Sequence, residues 1–435
     1  MTRNKFSFIL LLFYMVIQII LVLFFPLPFT SDSAANLLFA QAALQENTYY
    51  PNPSSLYSVA IIAPVYINYL IVLLKVSNGP AIIFFSNILL NTLQLILLFK
   101  VTEKIFDTRA AIVAGFLYVL YLSNLGLIFL NLTELPFGIL ILTSLYLYIS
   151  SPSLRNGLLC GFTIGLAIGV RPTAWGLILA ILIVYIIQVF QHKPHHWKMA
   201  GIVMGIMIYI IPMGLLSKQN IGRFEFTSAT GPANLIMSAN PRAKGVFDPH
   251  ILIHDSIYLS KKTYVEKNEY LLDRSIEYIR GHPWHWISLI PRKFYSTFIS
   301  DGWAIPQLLH SPKWDLNVYL KGNEEIKKDF HKEVPFFRIT FWVLNIWQQA
   351  IYGILFVFFI CQLYSFVRGK HFTYEALIIN LFIVSGIGLT ILAAVGSPRY
   401  KYNFVIVGIV LVSPLIADFL KKIIYHIYKG IQNLN

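Results

Sequence analysis

Residues 6–25 read FSFILLLFYMVIQIILVLFF, a stretch of 20 positions without a charged side chain. As a helix it would rise about 30 Å, which equals the thickness of the hydrocarbon core of a bilayer. The apolar core of a signal peptide has about 7–15 residues, so the stretch is predicted to remain as a first membrane span behind Arg3 and Lys5. Cleavage near Ser33-Ala34-Ala35, as in a signal peptide, is the alternative.

The rest of the chain continues this apolar character. Of its 435 residues, 57% are hydrophobic and 12% are charged, whereas soluble domains have about 25% charged residues. Further apolar runs lie near residues 58–74, 80–99, 110–128, 135–150, 157–170, 172–190, 199–216, 346–366, 374–395 and 403–420. The sequence therefore predicts an all-α polytopic membrane protein. Cys160 and Cys361 both fall inside such runs, so neither a disulfide nor a metal cluster is expected from them.

The basic residues indicate how the spans are oriented, because short loops rich in Lys and Arg belong in the cytoplasm. The basic segments are Arg3/Lys5, Lys100/Lys104/Arg109, Arg155, Lys193/Lys198, Arg368/Lys370 and Lys421/Lys422/Lys429. They fall on one side only if the run 58–74, which contains Pro64 and ends at Lys75, is an interfacial or re-entrant helix. About ten transmembrane helices then remain, with both termini cytoplasmic, in a multi-pass protein of the bacterial cytoplasmic membrane.

Three parts of the chain follow from this arrangement. Residues 1–216 are predicted to form an N-terminal transmembrane module whose first extracytoplasmic loop covers 27–79, and residues 339–435 form the C-terminal helices. Between them, 217–338 is predicted to be a mixed extracytoplasmic loop domain, with turn-rich stretches and a helical period around 258–280. The net charge of +14 is assigned to orientation and to contact with anionic membrane lipids, not to nucleic acid.

Few acidic residues lie outside that large loop, and the extracytoplasmic ones are Asp32, Glu46 and Glu134. Asp32 and Glu134 are the catalytic candidates, because an ionisable group at a membrane boundary is often functional. One carboxylate could accept a proton from an acceptor hydroxyl while the other orients the acceptor or a cation. The alternatives are that Asp32 caps a helix over 33–45 and that Glu134 complements a helix N-terminus.

Two arginines are the candidate partners of these acids. Arg171 lies in GVRPT (169–173), between two spans, and Arg399 lies in GSPRYKY (396–402), just before the last span. Arginine can hold phosphate in a bidentate fork, so the cluster Arg399-Tyr400-Lys401 suits a lipid-linked phosphate at the membrane boundary. The alternative for both arginines is that they extend to the interface without a specific ligand.

Other residues are weaker candidates for substrate binding. Tyr50 follows Tyr49 at the end of the first amphipathic helix, where it either belongs to the aromatic belt or stacks on a sugar. Lys75 and Asn240 complete the predicted substrate-binding set. Four histidines of the large loop lack the close spacing of a zinc site and are interpreted as surface residues: His250, His254, His282 and His285.

Together these features resemble the GT-C superfamily of glycosyltransferases that use polyprenyl-phosphate sugars, in particular the protein O-mannosyltransferase and aminoarabinose-transferase group. The resemblance covers most of the chain. It rests on Asp32 after the first span, Glu134-Leu-Pro, the segment from Gly161 to Thr173, the loop from Gly231 to Gly245 and Arg399-Tyr400. It implies that Asp32 is the catalytic base and that Glu134 corresponds to the second acid of such enzymes.

The sequence also departs from the family pattern. Asp32 is followed by Ser33, where many relatives have paired acids, and no metal-binding His–Glu pair can be matched. No cofactor is therefore assigned, and a divalent metal stays open. Lys401 follows Arg399-Tyr400 where a proline is common, so the donor contacts there are expected to differ.

The predicted function is transfer of a hexosyl or pentosyl group from a polyprenyl-phosphate donor to an acceptor on the extracytoplasmic face, with inversion. The expected partners are the lipid-linked sugar, membrane lipids and a glycan, lipid or protein acceptor. One alternative is a transporter or flippase of lipid-linked glycans, which would need charged residues inside several spans. The other alternative, a polysaccharide polymerase or ligase, shares the chemistry and differs in its acceptor.

Overall fold

The computed structural model describes residues 3–24, 29, 31–77, 79–248, 250–309, 311, 324–369, 373–393 and 395–432. Helices make up most of this part of the chain. Within these ranges no β-strand forms, and the only β contact is an isolated parallel bridge between Val246 and Gly396. The all-α fold predicted from the sequence is therefore confirmed.

The helices before the large loop are α1 (Arg3–Phe24), α2 (Asp32–Gln45), α3 (Pro64–Val76), α4 (Ala81–Ile105), α5 (Thr108–Leu120), α6 (Ser123–Gly126), α7 (Glu134–Ser150), α8 (Leu154–Val170), α9 (Trp175–Phe190) and α10 (His196–Ile221). Those of the large loop are α11 (Gly231–Ile236), α12 (His250–Ile253), α13 (Ser256–Ser260), α14 (Tyr264–Gly281), α15 (Pro283–Ser288), α16 (Ile290–Phe298), α17 (Ile305–Leu308) and α18 (Glu324–Lys332). The C-terminal helices are α19 (Pro335–Val367), α20 (Tyr374–Ala393) and α21 (Tyr402–Gln432).

Several of these helices can cross a membrane. In the described residues, 7 stretches are long and apolar enough: Ser7–Phe24, Ala81–Ile105, Pro172–Phe190, His196–Ile221, Pro335–Val367, Tyr374–Ala393 and Pro398–Ile427. The pair Thr108–Leu120 and Ser123–Phe129, bent by 58°, would be an eighth span if it counts as one. The helices α7 and α8 have 17 residues each, at the lower limit of about 17–25 for a span. The multispanning character is thus confirmed, while the number of about ten stays a prediction.

The weak run 58–74 contains the short helix α3. The helix begins at Pro64 and has 13 residues, so it rises about 20 Å and is too short for a hydrocarbon core of about 30 Å. Pro64 opens it because proline needs no backbone hydrogen-bond donor in the first turn. This length suits the interfacial position that the charge pattern predicts.

Side-chain contacts show which helix ends lie together. At one end of the bundle, Lys104 Nζ of α4 donates to Ser150 Oγ of α7 at 2.8 Å, and Lys198 of α10 donates to the carbonyl of Tyr148. At the other end, Asn87 Nδ2 of α4 donates to the carbonyl of Leu130 at 3.0 Å, just before α7. The predicted cytoplasmic residues Lys104 and Lys198 therefore share one end. The side of the membrane on which that end lies stays a prediction.

The predicted loop domain is built from short helices and turns. The helical period around 258–280 corresponds to α13 and α14, and α14 begins with a capping box in which Thr263 and Glu266 bond each other's backbone N–H. Its neighbours in the chain are α10, which ends at Ile221, and α19, which begins at Pro335. Residues 312–323 of the predicted domain, and Lys370 of the predicted cytoplasmic set, lie outside the described residues.

The tightest helix pair in the bundle is α8 with α10. A Cβ atom on Gly161 would lie 2.0 Å from the carbonyl oxygen of Ile202, and one on Gly205 would lie 2.1 Å from that of Leu158. Glycine at these positions lets the two backbones approach, as small residues do in membrane helix pairs. Since α8 ends at Val170, this packing fixes the position of Arg171, the next residue.

Candidate functional site

The first carboxylate, Asp32, is the first residue of α2. Ser31, which precedes it, has a φ angle of 51°, a conformation that L-residues other than Asn, Asp and Gly rarely adopt. Ser31 rather than Asp32 occupies the N-cap position, so the predicted capping role of Asp32 is wrong. The Asp32 side chain is 65% exposed, and Arg399 Nη1 donates to its Oδ2 atom at 2.5 Å. Asp32 is thus an accessible carboxylate beside a cation.

The second carboxylate, Glu134, is the first residue of α7 and is completely buried. Arg171 Nη2 donates to its Oε1 atom at 2.5 Å, and Arg399 Nε donates to the same oxygen. Arg399 Nη2 lies 3.5 Å from Oε2. Glu134 therefore lies between the two arginines, as a buried carboxylate with two cationic partners.

The two arginines arrive from distant parts of the chain. Arg171 follows α8, and its Nε donates to Thr133 Oγ1 at 2.8 Å. Arg399 lies in a 3-10 turn, Pro398–Lys401, that precedes α21. Their side chains are 16% and 23% exposed, so each arginine bonds the buried acid and keeps part of its side chain accessible. Both arginines therefore have specific partners, and the alternative that they extend to the interface without one is wrong.

Two carboxylates and two guanidinium groups thus form one cluster, which we call the charged cluster: Asp32, Glu134, Arg171 and Arg399. Its formal charges balance when all four groups are ionised. A guanidinium has five N–H donors, and the contacts of Arg171 use only Nε and Nη2. Among the described residues, Nη1 of Arg171 has no hydrogen-bond partner, so this cluster keeps donors for an anionic ligand.

Buried polar contacts hold the segments that carry the cluster. Asn131 accepts a hydrogen bond from Tyr66 of α3 on its Oδ1 atom at 2.5 Å, and its Nδ2 donates to the carbonyl of Ser33 at 3.0 Å. Asn36 Nδ2 of α2 donates to the carbonyl of Asn131 at 2.9 Å. These bonds join α2 and α3 to the turn before α7, so Asp32 and Glu134 have fixed relative positions.

Tyr400 and Lys401 follow Arg399 but differ in their surroundings. Tyr400 lies beside Phe298, Ile391 and Phe404, between α16, α20 and α21. Lys401 is completely buried and donates to the carbonyls of Thr297, at 2.9 Å, and Ser300. The expectation that Lys401 contributes to a phosphate site is therefore wrong, because its ammonium group is enclosed by protein.

Three predicted substrate-binding residues lie away from the charged cluster. Tyr50 is completely buried, and its hydroxyl accepts a hydrogen bond from the Ile62 N–H at 2.9 Å, so it is a core residue and not a sugar platform. Asn240 is 8% exposed and uses both ends of its amide on the turn, with Ile236 O and Arg242 N each 2.8 Å away.

Lys75 is exposed in the last turn of α3, and its Nζ lies 4.7 Å from the centre of the Tyr49 ring. It is nine residues from Tyr66, which places it about 14 Å further along the helix axis. These three residues therefore do not join the charged cluster.

The donor set of the cluster does not suit a metal ion. Both carboxylates are already held by arginine, and the described residues contain no group of three or more His, Cys, Asp or Glu side chains that could hold a metal. The rings of His250 and His254 stack on each other at 5.8 Å, while His282 and His285 both contact Tyr278.

The sequence analysis missed the residues that support the cluster. Thr133 and Asn131 lie just before Glu134, the one residue of this segment that the sequence marks as a candidate. Asp301, which faces Lys401, is one of the acids of the large loop, and its sequence context does not distinguish it from the others. Polar residues between apolar neighbours beside a predicted site, as in Leu130-Asn131-Leu132-Thr133, are the signal that would have indicated them.

Comparison with known proteins relates this chain to membrane glycosyltransferases. The family model described as dolichyl-phosphate-mannose-protein mannosyltransferase matches residues 59–215, which include Glu134 and Arg171. The curated proteins give no significant match.

Among solved structures, the oligosaccharyltransferase of Archaeoglobus fulgidus in its apo form has a TM-score of 0.52 and 13% identity, over 98% of this chain and 52% of that one. The archaeal oligosaccharyltransferase AglB from Archaeoglobus fulgidus, in complex with an inhibitory peptide and a dolichol-phosphate, has a TM-score of 0.50 and 14% identity, over 99% of this chain and 52% of that one. This chain spans about half the length of these relatives, and at such identity the likeness concerns the fold. Residues 59–215 are thus similar to the dolichyl-phosphate-mannose-protein mannosyltransferase family, and the chain has a fold similar to that of the archaeal oligosaccharyltransferase.

Proposed function

We propose that this protein transfers a sugar from a polyprenyl-phosphate donor to an acceptor hydroxyl on the extracytoplasmic face of the membrane. The observation that carries the proposal is the convergence of Asp32, Glu134, Arg171 and Arg399 in one charged cluster. These residues are up to 367 positions apart in the chain and meet at the end of the bundle opposite to Lys104 and Lys198.

The arginines suit the phosphate of such a donor. Guanidinium groups bind phosphate through two parallel N–H donors, and Arg171 keeps its Nη1 donors while Arg399 is 23% exposed. The matched family is described by a dolichyl-phosphate sugar, and a solved relative holds a dolichol-phosphate.

The exposed Asp32 carboxylate suits the role of the base. In the proposed step the acceptor oxygen bonds to the anomeric carbon while its proton passes to Asp32. The bond between that carbon and the phosphate oxygen breaks, and its electron pair leaves with the polyprenyl phosphate. Attack opposite to the leaving group inverts the anomeric carbon. A positioned base contributes about 10²–10⁴-fold to such a rate.

Glu134 has a different role in this proposal. It is fully buried and both of its arginine partners contact it, so it is inaccessible to an acceptor. We therefore assign it to the orientation of the two guanidinium groups. Fixed cations stabilise the negative charge that grows on the departing phosphate without reorganising during the reaction.

The deciding experiment is Asp32→Asn in the purified, bilayer-reconstituted protein, supplied with a panel of polyprenyl-phosphate hexoses and pentoses and an acceptor mixture. Release of polyprenyl phosphate should fall by about 10²-fold or more. Binding of polyprenyl phosphate and the unfolding temperature should stay close to the wild-type values, because Asp32 is exposed.

Glu46→Gln is the matched control. Glu46 follows the same helix α2 at its other end and is exposed, and its carboxylate accepts hydrogen bonds from Asn52 and Ser54, with the Ser54 N–H at 3.4 Å. Its turnover should equal that of the wild type. Full turnover of Asp32→Asn would refute the role of Asp32, and the absence of donor cleavage by the wild type with every sugar would refute the proposed donor class.

A further inference from the structure

Directly after Arg399, the chain carries a second charge pair that is completely enclosed. The side chains of Lys401 and Asp301 are both 0% exposed, and Lys401 Nζ lies 3.5 Å from Asp301 Oδ1. Asp301 belongs to the large loop, whereas Lys401 ends the 3-10 turn that also contains Arg399. Charged side chains are almost never fully buried unless they are paired, so this pair needs a reason.

Lys401 acts as a C-terminal cap for α16. Its ammonium group, which has three donors, reaches the carbonyls of Thr297 and Ser300 in addition to the Asp301 carboxylate. The carbonyl between them, that of Phe298, accepts a hydrogen bond from Tyr352 of α19 at 2.8 Å. A cation at a helix C-terminus also complements the helix dipole. The last turn of α16 is therefore bound to the turn that carries Arg399.

Asp301 extends this contact into the membrane bundle. Its Oδ2 atom accepts hydrogen bonds from the Tyr121 hydroxyl, after α5, and from Gln348 Nε2 of α19 at 3.0 Å. Its backbone N–H donates to Gln349 Oε1 at 3.2 Å. One carboxylate thus joins the large loop to two transmembrane elements and, through Lys401, to a third.

Backbone contacts near Arg399 also join its segment to the large loop. The Gly396 N–H donates to the carbonyl of Gly245 at 3.0 Å, which ties the start of the segment to the large loop. A Cβ atom on Gly396 would lie 2.6 Å from the carbonyl oxygen of Lys293, so α16 also covers this residue. Arg399 therefore lies in a short turn that is held on both sides by the large loop.

We propose that Lys401 and Asp301 are positioning residues, which hold the turn Pro398–Lys401 so that the Arg399 guanidinium reaches Glu134 and Asp32. The large loop is then part of the machinery that places the phosphate-binding arginine. This inference rests on the proposed function only where it assigns a phosphate ligand to Arg399. The coupling between Lys401 and Arg399 can be measured without any sugar transfer.

The first test is a thermal double-mutant cycle between Arg399→Gln and Glu134→Gln. Each single variant and the double variant are unfolded by heat in the wild-type background and in the Lys401→Met background. If Lys401 positions Arg399, the non-additive part of the shift in unfolding temperature should fall to less than half in Lys401→Met. An unchanged coupling would overturn the proposal, because Arg399 would then reach Glu134 without Lys401.

Lys401→Met leaves Asp301 buried and unpaired, which could prevent folding. The same cycle is therefore also run in Lys401→Met/Asp301→Asn, which removes both charges. The matched control background is Lys198→Met, since Lys198 is also buried and donates to a backbone carbonyl, that of Tyr148, at the opposite end of the bundle. Coupling in this control should equal that of the wild type, and a loss equal to that of Lys401→Met would overturn the proposal.

The second test uses turnover. A misplacement of about 1 Å can cost roughly 10²-fold in rate, so Lys401→Met should lower kcat by this order with little change in the KM for the donor. In the Arg399→Gln background the same substitution should have almost no further effect. Independent, multiplicative losses would overturn the proposal. If the wild type cleaves no donor, the proposed function fails, and the thermal cycle alone decides the positioning role.

Discussion

Arg399 is shared by two carboxylates that differ strongly in their surroundings. Asp32 is 65% exposed, so water already solvates its charge, whereas Glu134 is completely buried. Removal of one charge from a buried pair costs more than removal of an exposed one, because the remaining partner loses its compensation. The two acids should therefore respond differently to the same chemical change, and that difference separates a structural from a catalytic role.

Glu134→Gln should destabilise the fold. Breaking a buried ion pair costs about 3–5 kcal/mol, and we expect the lower end because Arg171 and Arg399 are partly exposed. Thermal or denaturant unfolding in detergent measures this loss, and turnover should fall as well because the two arginines lose the negative charge that they share. Adding Arg171→Gln should restore part of the stability, since one uncompensated cation is removed.

Glu269→Gln is the control for this prediction. Glu269 pairs with Arg223 at 3.1 Å, and both side chains are about half exposed, so the change should cost less than about 1 kcal/mol. Equal destabilisation by Glu134→Gln and Glu269→Gln would contradict the assignment of Glu134 as the buried anchor of the arginines.

At the residue scale, the sequence could indicate the charged cluster but not its supports. Charged residues are rare outside the large loop, so Asp32, Glu134 and Arg399 stood out in the sequence. The sequence suggests Lys401 as a phosphate ligand because it is close to Arg399. The fold shows instead that Lys401 is buried and paired with Asp301. A pairing across 100 residues between a loop acid and a span lysine leaves no local pattern.

The packing of α8 against α10 determines the position of Arg171. The glycines of the segment from Gly161 to Thr173 were assigned to a family resemblance, and the structure gives them a packing reason. The close backbone approach at Gly161 and Gly205 leaves no room for a methyl group, because the nearest atoms are backbone carbonyls that cannot move aside.

Gly161→Ala should therefore force α8 and α10 apart. Overpacking of this kind typically costs about 1–3 kcal/mol, and the shift should also lower turnover by displacing Arg171 at the end of α8. Unfolding temperature and turnover of the purified protein check this. Gly353→Ala is the control, since a Cβ atom there would meet nothing within 4 Å. If Gly161→Ala keeps the wild-type unfolding temperature, the close approach is not a constraint.

At the element scale, apolar length and proline positions predicted most helices well. The interfacial interpretation of 58–74 agrees with the 13 residues of α3, because a proline opening and a short apolar run are both visible in the sequence. The small helices of the large loop, such as α12 and α17, were not predicted. They have four residues each, too few for a periodic pattern, and depend on tertiary contacts.

The orientation of the whole molecule is predicted from its charges, while the structure shows which helix ends lie together. Asp32 and Arg399 meet at one end, and Lys104 and Lys198 lie at the other. Lys and Arg in short loops favour the cytoplasm. The charged cluster and the large loop should therefore lie outside, which a lipid-linked donor presented at the outer face requires.

Single-cysteine labelling tests this orientation in a background with Cys160→Ala and Cys361→Ser. Asp273→Cys, on the exposed surface of α14, should react with a membrane-impermeant maleimide in intact cells. Arg155→Cys, in the exposed first turn of α8 at the opposite end, should react only after the cells are permeabilised. The reverse pattern would place the charged cluster on the cytoplasmic side. The lipid-linked donor would then have to come from the inner leaflet. Because both positions are exposed, a lack of reaction at one of them reports the membrane barrier and not burial.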